Sequence, residues 1–548
     1  MPTWNSLSNL PRAQQWIQAI TGPFNERLAA VFLLAWATFV FFHNIASYPV
    51  ETDEALYAAV GRQIARTNEW FRLEHEGSPF FYKPPLYFWL MAIAIRIFGE
   101  NDLAVRFPSA ALGLATTGLV YIAGKRLFSG RTALTAALIT TTTYNLIWLA
   151  PQGKMDVELG FWLNLSVFTF LLAYRKRERQ NTALALSFFS MTIATLLKGP
   201  IGVLLPGFAG CVYLLATRKS KMIGELPALA TGLAVVVAIS GIYYLALGPD
   251  FNRYFFVVEN LQRITEESKP FHFYFGMIFV DLFPWSVFIP ALAIALWNSG
   301  SLKPGTTEFA VVLWFLSFFF FLNVPSYKEE DFLVYLIPPF ALLMALSWEH
   351  VLSVPKVPRA PTDRWYRGSL IYLGCVIPLL LWVGPRILAI RHPGFPDMVH
   401  PASFLFVLGG CLIAIYVALS QEKRALFSTQ CVIAMALTFF FVHTYRPARG
   451  QYNRVGAIAR EVRVIVGDFP LVLLYTDGST EFLYYLDRPA ATQMIGKEEI
   501  RRVLRSETKV FALLPHDVYE DLDTGSDVRM RKLADYAHRH WRYVLVSN

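Results

Sequence analysis

The strongest constraint in this chain is a series of apolar runs, each close to the roughly 20 residues that carry a helix across a bilayer. They fall near 28–46, 109–124, 132–149, 157–174, 183–198, 200–217, 226–247, 273–297, 309–324, 332–348, 369–389, 402–420 and 428–444. None alternates with period two, so the runs read as helices and not barrel strands, and about thirteen spans are expected. Only 16% of the 548 residues are charged, against about 25% in soluble domains. That is too few to cover a soluble body of this size. Cys211, Cys375, Cys411 and Cys431 all sit in apolar runs and read as small buried hydrophobes, not bridges or ligands. The first apolar run has no small-residue cleavage site after it, so no cleavable signal peptide is expected.

The formal net charge of +9 does not point to nucleic acid, because the basic residues come as short clusters between spans. These are Lys125-Arg126 with Arg131, Arg175 to Arg177, Arg218 with Lys219 and Lys221, Lys356 to Arg367, and Lys423-Arg424. Each follows an even-numbered span, and basic loops accumulate on the cytoplasmic side. The N-terminus is therefore expected inside and the C-terminal residues outside. Residues 84–98 would invert this order if they crossed. They are short and contain Arg96, so they read as an interfacial helix. The chain then divides into 1–444, a transmembrane domain with a first external loop at 48–108, and 445–548, a soluble domain. The latter alternates helix-like stretches (455–464, 497–505) with β runs (471–476, 510–515, 543–548), as an α/β domain does.

On the inner side the loop charges are mainly basic. On the outer side acids and bases mix beside apolar walls. The first external loop holds Glu51, Asp53, Glu54, Arg62, Arg66 and Lys83. Later external turns hold Lys154, Asp156 and Glu158, then Lys198, then Glu259, Arg263 and Lys269, then Lys328 to Asp331. Each has an ordinary explanation. Asp53, Glu54 and Asp156 suit helix starts, Lys83 and Lys198 can snorkel, and Arg263 can simply be solvated. Gathered on one face, they suit a charged head group on a lipid tail.

TDEALYAAVGRQI (52–64), FFYKPPLYFWL (80–90) and VRFPSAALG (105–113) resemble the polytopic GT-C glycosyltransferases, which use polyprenyl-phosphate sugars. LLKGPIGVLLP (196–206), ENLQRIT (259–265), FYFGMIFVDLFPWS (273–286) and YLIPP (335–339) continue the match in order. Within the protein-mannosyltransferase-like group, the likeness is greatest to the lipid A aminoarabinose transferases. The resemblance implies a GT-C type fold, all-α in the membrane, with interfacial helices in the first periplasmic loop and an α/β domain in the periplasm. It implies a multi-pass bacterial inner-membrane enzyme, active as a monomer, whose site faces the periplasm. The donor is undecaprenyl phosphate carrying 4-amino-4-deoxy-L-arabinose, the acceptor a lipid A phosphate, and the outcome resistance to polymyxin and other cationic peptides.

Residue by residue, the family's first-loop acid maps onto Asp53, its KP lysine onto Lys83, its second external acid onto Asp156, and its NLQR arginine onto Arg263. Glu54, Tyr57, Tyr82 and Lys198 complete the expected donor site. Related transferases often carry Arg at Leu56, Glu at Tyr82 and Lys at Asp331, so the phosphate pocket here is altered. Neither a cofactor nor a metal is expected, since loop one reads Glu-Thr-Asp-Glu and has no Asp-x-Asp. A related transferase acting on a protein hydroxyl or another envelope glycan is the alternative. A lipid flippase is a third reading; the chain has neither a clear internal repeat nor a charge path through the spans to recommend it.

Overall fold

A computed structural model describes residues 25–75, 77–175, 180–217, 226–262, 269–300, 302–353, 364–374 and 423–548 (less 475–478, 488–490, 495–496, 525–529 and 539–540), with isolated positions between 387 and 417. Asn25 caps α1 (Glu26–Phe42) through the N–H groups of Arg27 and Leu28. The chain then forms α2 (Thr52–Thr67), a hairpin of β1 (Glu74–His75) and β2 (Ser78–Pro79), and α3 (Leu86–Phe98). At 13 residues, α3 is about 20 Å long and falls short of the ~30 Å hydrocarbon core. Its length fits a helix lying along a surface. Next comes α4 (Asp102–Leu127), which is capped by Asn101 and starts seven residues before the expected span at 109. The last part of the expected external loop is thus the first two turns of a long helix.

The expected span 132–149 is broken into α5 (Gly130–Thr141) and α6 (Tyr144–Leu149). Four consecutive threonines cause the break. The hydroxyls of Thr140, Thr141, Thr142 and Thr143 all donate to carbonyls three or four residues back. Such bonds compete with the backbone ladder. The freed groups find tertiary partners: Trp285 Nε1 donates to Thr142 Oγ1 at 2.9 Å, and Tyr144 N–H to the Phe283 carbonyl at 2.9 Å. Then follow α7 (Asp156–Arg175), α8 (Gln180–Lys198), α9 (Ile201–Ala216) and α10 (Leu226–Ala246). The expected span 273–297 is also two pieces, α11 (Phe273–Asp281) and α12 (Ile289–Asn298). These are linked by a 3-10 turn at Trp285–Phe288 and bent by 112°. After α13 (Thr307–Asn323) and a 3-10 segment (Glu330–Leu336) comes α14 (Ile337–Ser353). The expected spans 369–389 and 402–420 lie mostly outside the described residues.

Among the described residues, six helices are long and apolar enough to cross a bilayer, or seven with the bent pair counted as one. Their outward apolar side chains, such as Ile242 at 70% exposure and Leu245 at 77%, form the kind of surface that lipid covers.

The boundary expected at 445 has no structural break. Helix α15 (Lys423–Phe440) runs through a π-helical turn (Phe441–Tyr445) into α16 (Arg446–Tyr452), with α17 (Val455–Val466) close behind. The α/β character beyond it matches the expectation. A five-stranded sheet is ordered β4-β3-β5-β7-β6, from β3 (Leu471–Leu474), β4 (Ala491–Met494), β5 (Phe511–Pro515), β6 (Arg531–His538) and β7 (Trp541–Ser547). β3 pairs in parallel with β4 and β5, and β7 antiparallel with β5 and β6. Helix α18 (Ser479–Leu486) packs on α17.

One apolar core joins this sheet to the first loop: Val50, Tyr57, Met91, Ile458, Tyr485 and Leu545 belong to it. Polar contacts reinforce the join. Val50 N–H donates to the Tyr485 hydroxyl at 2.7 Å and Thr52 N–H to Glu481 at 2.9 Å. Arg449 and Asn453 both bind Glu51. Arg62 reaches the Tyr484 carbonyl, and Arg66 grips Asp487 at 2.8 Å. Arg62 and Arg66, read from the sequence as part of a lipid-head-group face, therefore hold the loop to the C-terminal sheet.

Inside the join, Arg106 is fully buried. It makes a forked pair with Glu54 at 2.6 and 2.8 Å and donates to the carbonyls of Ile45, Tyr48 and Pro49. Arg106→Met strands Glu54 without its partner, and a loss of roughly 3–5 kcal/mol of stability is expected from thermal unfolding in detergent. Asp487 offers a pH-dependent counterpart. Burial acts to raise its pKa, but Arg66, Arg62 and Arg463 outweigh this and hold it below the usual carboxylate value. Its contribution is full above the unfolded-state pKa and is lost as pH falls through the lower folded value. Hydrogen exchange in α2 and α18 should accelerate below about pH 4, and in Asp487→Asn it should be fast at neutral pH already.

Candidate active site

The local sequence places each charge of the site at the end of an element. Lys198 is the last residue of α8, where a cation complements the helix dipole. Gly199 follows it at φ +85°, and a Cβ there would meet the Phe255 ring at 2.8 Å. Only glycine makes this turn with Phe255 so close, and Pro200 is the N-cap of α9, directly after. Asp156 opens α7. Four residues on, Gly160 lets the Tyr335 ring approach: a Cβ at Gly160 would lie 3.1 Å from it.

These placements bring three distant residues onto one oxygen. Lys198 Nζ lies 2.5 Å from Asp156 Oδ1, and the Tyr335 hydroxyl donates to the same atom at 2.5 Å. The Lys198 ammonium also sits 4.4 Å from the centre of the Phe332 ring. Beside this triad, Lys154 pairs with Asp331 at 2.8 Å. Burial acts to lower the Lys154 pKa, but Asp331 more than offsets it and the net direction is upward. Lys154 is also within electrostatic reach of Asp156 and Asp53. Asp53, in the first turn of α2, is exposed and has no ion pair or hydrogen bond among the described residues. It is the open carboxylate of the group.

The other expected residues divide. Lys83 pairs with Glu259 at 2.9 Å. Glu259 lies on the π-helical segment Arg253–Gln262, whose Phe255 packs at Gly199, so this pair joins the same neighbourhood. Tyr82 is 46% exposed and edge-on to Tyr254. Two expected donor contacts are instead framework. Glu54 has its oxygens taken by Arg106 and by the Gly153 N–H at 2.7 Å. Tyr57 is buried edge-on against Tyr87 and Phe88. Arg263 lies outside the described residues.

Sequence reasoning passed over Tyr335, although YLIPP was noted, and missed that Lys154 and Asp331 form a pair. It also missed Arg106, which is visible as the charge inside VRFPSAALG. Among the described residues, no group of three or more His, Cys, Asp or Glu side chains is placed to hold a metal ion.

An electroneutral set of Lys–carboxylate pairs with one open acid, at the ends of apolar helices, is suited to recognising a lipid-borne anion and its sugar. Comparison with known proteins agrees with that class. The chain superposes on ArnT of Cupriavidus metallidurans, crystallised with bound undecaprenyl phosphate, with a TM-score of 0.77 at 20% identity, covering 94% of this chain and 97% of that one. It therefore has the GT-C fold. Residues 82–244 match the family model described as dolichyl-phosphate-mannose-protein mannosyltransferase. In sequence the chain is similar to the undecaprenyl phosphate-alpha-4-amino-4-deoxy-L-arabinose arabinosyl transferase of Aeromonas salmonicida, 25% identical over 422 residues, 74% of this chain and 76% of that protein. A second such transferase, from Sodalis glossinidius, is 28% identical over 306 residues, 54% of each chain.

The triad yields a thermodynamic test. Lys198→Met leaves Asp156 buried with only a hydroxyl donor and should cost roughly 3–5 kcal/mol. Adding Asp156→Asn should restore most of it. Thermal unfolding of the four proteins reads the coupling, and simple additivity would mean that the pair is not formed.

Proposed function

We propose that this chain transfers 4-amino-4-deoxy-L-arabinose from undecaprenyl phosphate to a phosphate of lipid A, as a monomer at the periplasmic face of the bacterial inner membrane. The observation that carries the reading is the meeting of Lys198, Tyr335 and Asp156 beside Lys154, Asp331 and the open Asp53. It occurs on a fold shared with a protein crystallised with undecaprenyl phosphate.

The step is a displacement at the sugar's anomeric carbon. An acceptor phosphate oxygen forms the new C–O bond while the bond to the donor phosphate breaks. Charge grows on the leaving phosphate, so cations aimed there stabilise the transition state. Lys83 and Lys198 fill this role, each exchanging part of its contact with Glu259 or Asp156 for the phosphate. Arg263, with a fork suited to two phosphate oxygens, joins them in this proposal on sequence grounds. The acceptor is already anionic and needs no general base. Asp53 and Asp156 then serve the sugar: they bind its ammonium and steady positive charge developing at the ring. Glu54 and Tyr57 hold the loop that presents Asp53, while Tyr82 and its neighbour Tyr254 offer ring faces to the donor. Lipid A whose phosphate carries an aminosugar is less anionic and attracts cationic peptides less, which is the basis of polymyxin resistance in this reading.

The match of residues 82–244 to a protein-mannosyltransferase model favours one alternative, a protein acceptor. Mass spectrometry of lipid A separates the two. The host is a Gram-negative strain that makes the aminoarabinose donor and lacks its own transferase. Wild type should add a phosphate-linked aminopentose, and equally expressed Asp53→Asn should not. Unmodified lipid A from well-inserted wild type would favour another acceptor.

A further inference from the structure

Glu158 is a buried acid without a role in the step above. It is fully buried, two residues along α7 from Asp156, and among the described residues no cation pairs with it. One oxygen, Oε1, lies 2.8 Å from Ser109 Oγ, and the other, Oε2, is buried without a hydrogen-bond partner. The Ser109 hydroxyl is already committed: it donates to the Lys154 carbonyl at 2.7 Å, and a carbonyl can only accept. A serine has one hydrogen. An ionised Glu158 would therefore face a lone pair at Oε1 and leave an anionic oxygen without a partner at Oε2, with Asp156 nearby to repel it. Tyr87, the other hydroxyl facing this spot, is buried and brings no positive charge. Burying a lone charge this way is costly, whereas a neutral acid satisfies the hydrogen count.

We propose that Glu158 is a neutral carboxylic acid that donates to Ser109, and that the resulting relay Glu158 → Ser109 → Lys154 carbonyl is a positioning device for the site. The held turn carries three functions within four residues. Gly153 N–H binds Glu54, the Lys154 side chain binds Asp331, and Asp156, two residues on, binds Lys198. Neutrality matters in its own right, because a second negative charge here would oppose Asp156 and weaken the hold of the site on an anionic phosphate.

Infrared difference spectra of wild type minus Glu158→Gln test the protonation without any assay. A protonated-carboxyl C=O band should be present at neutral pH in the wild type and missing from the variant. Its absence overturns the proposal. The activity arm rests on the transferase reading and is scored only relative to active wild type, so failure of that reading shows separately as inactive wild type. Glu158→Gln keeps a donor and should retain kcat within about threefold, with KM unchanged. Glu158→Ala removes the donor and should lower kcat about tenfold or more. A purely space-filling role predicts no rescue by Gln over Met, and equal losses in Glu158→Gln, Glu158→Met and Glu158→Ala would overturn the relay.

Discussion

Arg106 is the constraint on which the outer half of the molecule rests. A guanidinium inside an apolar core is tolerated only when every donor is used. Here Glu54 takes two and the carbonyls of Ile45, Tyr48 and Pro49 take the rest. Those three carbonyls belong to the strap between α1 and α2, so one side chain on α4 sets the path by which the chain leaves α1. Glu54 in turn receives the Gly153 N–H, tying the strap to the turn that precedes α7. Asp53 is the neighbour of Glu54 on the same helix. Its exposure next to Lys154 is thus a by-product of burying Glu54.

The described lysines of the site all rest against acids: Lys83 on Glu259, Lys154 on Asp331, Lys198 on Asp156. Half-buried pairs of this kind contribute little net stability, because desolvation offsets attraction. Their value lies elsewhere. A lysine with a resting carboxylate can swing part of its charge to an incoming anion without ever being bare in a poorly hydrated place. The carboxylate it leaves is then available to a cationic group on the same ligand. On the proposed function, such a site takes a phosphate and an amine together while its total charge stays balanced.

Much of this was legible in the sequence, for reasons that also explain what was not. Span positions follow from apolar runs, and Asp156, Lys83 and Lys198 stand out because they punctuate those runs. Thr140 to Thr143 read as harmless inside a run, yet their hydroxyls are what break it. Tyr335, Lys154 and Asp331 carried no mark of their partners, which lie 177 and 179 residues away. Arg106 falls inside 48–108, which reads as loop in the sequence, whereas α4 already starts at Asp102. In the C-terminal sheet the three inner strands, β3, β5 and β7, were found from their apolar runs. The edge strands β4 and β6 were missed; ATQM and RKLADYAH are polar stretches, and a strand with one neighbour can afford to be. The docking of Arg62 and Arg66 onto residues 484–487 was hidden for the same reason as the site pairs.

That docking has a consequence in time. The Glu54–Arg106 pair closes between residues 52 apart, soon after both leave the ribosome. The partners of Glu51, Val50 and Arg66 lie 398, 435 and 421 residues further along. At the usual pace of synthesis, that separation is on the order of 20 to 90 seconds. For that interval the first loop is anchored at its base and open at its rim. The rim of the first loop is therefore completed last, when the C-terminal residues arrive to dock on it, and a chain released early would insert into the membrane with that rim undocked.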